Sequence, residues 1–193
     1  MIFRLFRRDP RAATIAALYG AIVAQARAPG FYLEYGVPDT PEGRFDMIVL
    51  HLALVCRRLG RAPGAEGPRQ GPAQSLSQAV FDRFCRDMDH NLREMGVGDL
   101  GVPKKMRKLG EAFYGRLDAY DRALAVAGNE ELAAAVGRNV LGEGASAAAT
   151  RRLAAYVRSA AECLDSLAIA DLDGKVAFPD PLTIVVPVCE MPT

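Results

Sequence analysis

No apolar run in this chain approaches the ~18–20 residues that a membrane-spanning helix requires. None of its four cysteines (56, 85, 163 and 189) stands in a C-x-x-C pair, and no histidine lies at metal-ligand spacing from one. The pattern therefore offers no zinc site and no redox dithiol. Excess charge is missing too: 24 basic against 23 acidic residues is far from the surplus of a dedicated nucleic-acid binder. There are no internal repeats. Cys56, Cys85 and Cys163 fall inside apolar helical patterns, where a thiol behaves as a small core residue, reduced in a cytosol-like compartment.

What is present is a pattern of helices. A chain of 193 residues, 50% hydrophobic and 24% charged, suits one domain with a substantial core. Asp9-Pro10 reads as the N-cap and first residue of a helix ending near Arg27, before Pro29-Gly30. Residues 31–41, with Gly36, Pro38 and Pro41, read as an irregular loop carrying aromatic side chains. A second helix is expected over about 42–59; its stretch from Met47 to Cys56 is apolar all round except for His51, which implies burial on most sides. The Gly- and Pro-rich segment 60–74 reads as a mobile surface loop.

A third helix over about 75–95 carries Leu76, Val80, Phe84, Met88, Leu92 and Met95 on one stripe, and Gly96 and Gly98 stop it. A fourth, about 103–126, spaces Met106, Leu109, Phe113, Leu117, Tyr120 and Leu124 as a core face. Asn129 is the expected cap of a short fifth helix, and a sixth runs from near Ser146 to about Ala168. The tail 172–193, β-branched and interrupted by prolines at 179, 181 and 187, should lie extended along the surface. The expected fold is an all-α single domain over 1–193, a bundle of about six helices.

Several local patterns carry chemistry or imitate it. Gly96 to Gly101 (GVGDLG) matches the dinucleotide fingerprint G-x-G-x-x-G, but that chemistry needs a strand before the glycines, and a 3.6-residue period precedes them here. The segment reads as a helix–helix bend. Asp87-x-Asp89-x-Asn91 opens like a calcium loop, yet Leu92 replaces the required Gly and Gly98 the closing Glu. On a helix, Asp82–Arg86 and Asp89–Arg93 are ordinary i,i+4 pairs, and Asp87, Asn91 and Glu94 share a face suited to holding a neighbouring helix. His51 reads as a hydrogen-bonded core histidine and His90 as a solvated one. No catalytic residue, metal ligand or cofactor is assigned.

Two basic segments stand out. After Pro103, Lys104, Lys105, Arg107 and Lys108 crowd the start of a helix, where the macrodipole favours anions by roughly 0.3–1 kcal/mol per exposed charge. The fold has no use for cations there, so the run is a candidate contact for an acidic partner, phosphate or lipid head groups. At the N-terminus, MIFRLFRR alternates apolar and basic residues: Ile2, Phe3, Leu5 and Phe6 suit a membrane interface, with Arg4, Arg7 and Arg8 at the head groups. The uncharged run that follows, over 12–26, has some features of a signal peptide. Asp9-Pro10 and its alanine-rich composition favour a retained amphipathic helix instead.

The motifs GVPDT, GRF, LH, DMD-N-LREMGVGDL and EAFYGR, in that order between about Leu18 and Leu124, resemble the ubiquinol–cytochrome c chaperone family. The resemblance implies a non-enzymatic assembly factor for respiratory complex III that receives newly made cytochrome b. It makes the motif residues Tyr32, Arg44, Asp99, Tyr114 and Arg116 candidate partner contacts beside the basic run. A ribosome, an anionic membrane surface and a small partner protein are further partners left open; sequence-specific nucleic acid is not expected. The competing readings are a membrane or ribosome adaptor without client specificity, and an enzyme seating a phosphorylated ligand at the GVGDLG bend. Twenty arginines against four lysines, with no long leader before the first helix, suggest a bacterial member acting in the cytoplasm, peripherally associated with the inner membrane.

Overall fold

The computed structural model describes residues 10–61, 71–169 and 176–185. Within them the chain is all-α, with seven α-helices and no strand: α1 Pro10–Ala26, α2 Pro29–Glu34, α3 Pro41–Gly60, α4 Pro72–Glu94, α5 Gly101–Ala125, α6 Glu130–Val136 and α7 Ala147–Ser166. A π-helical turn, Gly137–Leu141, extends α6, and a 3-10 turn, Pro181–Thr183, lies in the tail.

Helix α3 is the axis of the bundle, packed on by α1, α4, α5 and α7. Every residue from Met47 to Cys56 is buried, as an apolar surface all round the helix demands. Its start is fixed locally: Thr40 Oγ1 accepts the Gly43 N–H at 3.1 Å, and Pro41 takes the first position, where a missing N–H costs nothing. Gly43 is required there, because a Cβ on it would lie 2.1 Å from the Pro38 carbonyl oxygen. At its other end Arg57 and Arg58 meet α5 and α7. Arg57 Nη1 lies 3.0 Å from Asp165, and Arg58 donates to the Leu164 and Leu167 carbonyls at the end of α7.

One cluster of polar groups lies inside the apolar core. His51 is fully buried; its Nδ1 donates to the Met47 carbonyl at 2.7 Å, and its Nε2 accepts the Tyr156 hydroxyl at 2.7 Å. Gln25 of α1 donates to that same hydroxyl and to the Pro179 carbonyl. Phe31, Tyr35 and Phe178 surround it edge-on.

Some expectations are corrected. Residues 29–34 form α2 rather than a loop: Pro29 opens it, and Gly30 lets the tail pack within 3.1–3.2 Å of where a Cβ would stand. The loop expected over 60–74 gives up its end, since α4 already begins at Pro72; residues 62–70 lie outside the described residues. Asn129 precedes α6 without a side-chain cap, because its Oδ1 accepts from Arg158 Nε at 2.6 Å instead. Asp82 receives the Gln78 amide. The tail does not merely lie along the surface: Val176 and Pro181 are buried, and Tyr35 donates to the Pro181 carbonyl.

Candidate interaction surface

Helices α4 and α5 form a hairpin whose bend is built by the glycine segment. Gly96, at φ +79°, takes the left-handed position that closes α4. Its N–H donates to the Arg93 carbonyl at 2.9 Å and the Val97 N–H to the Leu92 carbonyl at 3.0 Å, the paired bonds of a Schellman ending. Arg93 then ties the bend to the helix, with Asp89 at 2.8 Å and Asp99 at 2.5 Å. Val102, almost wholly buried, anchors the start of α5. A helix rather than a strand precedes these glycines, so the dinucleotide arrangement is not formed here.

Because α5 begins at Gly101, two residues earlier than expected, Lys104 and Lys105 sit at its fourth and fifth positions. The dipole penalty fades within the first turn, so it weighs less on these cations than their distance from Pro103 suggested. All four basic residues are exposed. Arg107 lies 3.7 Å from Glu111, while Lys104, Lys105 and Lys108 have no acidic partner among the described residues. The bend between α4 and α5 exposes apolar groups as well. Leu100 is 97% exposed and Met95, expected on the buried stripe, is 70% exposed, since it ends α4 where the stripe has already left the core.

The remaining candidates divide. Asp99 belongs to the bend, paired with Arg93. Tyr114, 55% exposed, lies against Phe81 and Phe113 and lines a depression of about 370 Å³ floored by Cys56 and Leu117. Burial pushes the Cys56 thiol up to about 11, so it stays protonated. Arg116, Arg44 and Tyr32 are engaged within the molecule. Arg116 reaches Asp46 at 2.6 Å, where burial raises the carboxyl above its ordinary value while the guanidinium pulls it back. Arg44 holds Asp39 at 2.7 Å, and the Tyr32 hydroxyl donates to the Ala26 carbonyl. Ile2, Phe3, Arg4, Leu5, Phe6, Arg7 and Arg8 lie outside the described residues.

Sequence reasoning missed Arg57, whose buried guanidinium is bracketed by acids from two other helices. Its Nε lies 3.0 Å from Asp121 Oδ1, in ion-pair range but off the line of a hydrogen bond, and Arg61 shares that carboxylate. An arginine at the end of an apolar helix gives no sign of partners 64 and 108 residues away. Burial moves His51 down to about 4, so at neutral pH it is uncharged with both nitrogens occupied, a structural group as its place in the pattern implied.

Comparison with known proteins agrees with the motifs. The solved crystal structure of the Cbp3 homolog from Brucella abortus superposes with a TM-score of 0.79 at 38% identity, covering 96% of this chain and all of that one. The ubiquinol-cytochrome-c reductase complex assembly factor 1 of Xenopus laevis is 26% identical over 161 residues, 82% of this chain and 76% of that protein. The family model described as ubiquinol-cytochrome C chaperone matches residues 33–178, from α2 through the bend and α7 into the tail. A match of that extent, over a shared fold, places this chain in the ubiquinol–cytochrome c chaperone family.

Proposed function

We propose that the protein is a non-enzymatic assembly factor for ubiquinol–cytochrome c reductase, and that it holds newly made cytochrome b beside the membrane until the complex is built. The observation that carries this reading is the family match across residues 33–178, supported by a relative whose name is that of a complex III assembly factor. The structure suits a scaffold. The buried histidine, His51, is taken up by internal hydrogen bonds, while the bend between α4 and α5 brings exposed basic and apolar side chains together. No helix of the described residues is long and apolar enough to cross a membrane.

In this reading Lys104, Lys105, Arg107 and Lys108 meet an anionic partner, and Tyr114 with its neighbouring depression is a second contact for protein. Residues 2–8 add a basic, apolar attachment to the membrane. The protein works on the cytoplasmic face of a bacterial inner membrane, without a cofactor of its own.

The direct test is capture of the tagged protein from membranes that are synthesising cytochrome b. Recovery of cytochrome b, strongest when later assembly of the reductase is blocked, is the expected result. Recovery of ribosomes or lipid without cytochrome b would favour an adaptor lacking client specificity.

A further inference from the structure

We propose that the α4–α5 bend is a membrane wedge: Leu100 and Met95 enter the interface of an anionic bilayer, and Lys104, Lys105 and Lys108 bind its headgroup phosphates. Leu100 at 97% exposure and Met95 at 70% project from a convex turn. A convex apex has no walls with which to grip a helix, but it can enter the headgroup layer. Leaving a leucine so bare in water forgoes burial that an apolar medium would restore.

Charge is placed to match. Between residues 93 and 108 there are five cations and two acids, Glu94 and Asp99. Asp99 is held by Arg93 at 2.5 Å, and Glu94 faces His90 at 3.1 Å. Lys104, Lys105 and Lys108 have no such acid among the described residues, which leaves their charge to an outside partner. On α5, Lys104 and Lys108 lie opposite the face that buries Val102 and Phe113. Helical side chains lean toward their helix's N-terminus, so these ammonium groups reach back toward the apex. At ~1.5 Å per residue they stand roughly 5–10 Å behind the start of α5, comparable to the ~5–10 Å that interfacial helices sink into the headgroup and acyl boundary. RNA fits less well, since no aromatic ring for stacking lies at the apex and Tyr114 is roughly 20 Å along the helix.

The inference rests on the proposed function only in placing the protein beside a membrane. It is tested on the purified full chain with vesicles of phosphatidylcholine, alone or mixed with phosphatidylglycerol. The sequence contains no tryptophan, so Leu100→Trp puts the only indole at the apex. Its emission should shift to the blue, and brominated acyl chains should quench it, with the anionic vesicles alone. Lys104→Glu with Lys105→Glu should weaken vesicle binding by about tenfold or more, and Leu100→Ser with Met95→Ser should weaken it without changing thermal stability. An indole that stays in water while the protein sediments with vesicles would overturn the wedge and move attachment to another segment. Binding to purified ribosomes that needs the lysines and ignores residue 100, with no binding to vesicles, would overturn it in favour of RNA. Complex III is measured separately in cells lacking the protein: normal levels there, with the indole signal intact, would count against the proposed function alone.

Discussion

His51 and Tyr156 share a 2.7 Å hydrogen bond at full burial, joining the axial helix α3 to α7 across 105 residues of sequence. Tyr156 is the donor, since His51 Nδ1 carries the proton given to the Met47 carbonyl. Tyr156→Phe would leave Nε2 without its partner, and should cost about 1–3 kcal/mol in chemical denaturation.

The same histidine sets a pH dependence. Burial lowers it from 6.5 to about 4, so between those values the unfolded chain binds a proton that the fold refuses. Its contribution is complete above about pH 6.5 and is lost as pH falls toward 4, on the order of 3 kcal/mol in all. Urea midpoints measured at pH 7 and pH 4.5 should differ, and His51→Gln should shrink the difference. An equal pH dependence in that variant would mean that His51 titrates normally.

The axis of the bundle should be intolerant of cavities. Ile48 and Leu52 are both buried in α3, and replacing either by Ala should cost about 2–5 kcal/mol. Calorimetric or urea unfolding checks this; losses under about 1 kcal/mol would show that the surrounding helices collapse into the space.

Gly43→Ala tests the entry to α3. A Cβ 2.1 Å from the Pro38 oxygen meets backbone on a turn already fixed by Thr40 and Pro41. The expected loss is about 1–3 kcal/mol or more, although alanine favours helices elsewhere. Gly60, with nothing within 4 Å, should accept alanine with little effect and serves as the control.

These residues also mark how far the sequence could be read. The burial of 47–56 was legible because an apolar surface on every side leaves a helix nowhere else to go, and the end of α4 was legible because its left-handed turn demands Gly96. Helix α2 was not, because Pro29 and Gly30 look like breakers until the tail is seen packed on Gly30. Asn129 looks like a cap, but Arg158, from a helix 29 residues on, takes its oxygen. Met95 fits the stripe of α4 by spacing, yet the core ends before reaching it. At the candidate interaction surface the charge run was visible, but the bare apex at Leu100 was not, since exposure is a property of the folded bend and of no local pattern.

The amount of assembled ubiquinol–cytochrome c reductase in membranes of cells lacking this protein, read from the spectrum of cytochrome b and from native gels, decides whether the chain acts in assembly of that complex. Loss of both, restored by the intact chain, is the predicted result. Normal reductase and normal cytochrome b without the protein would contradict it.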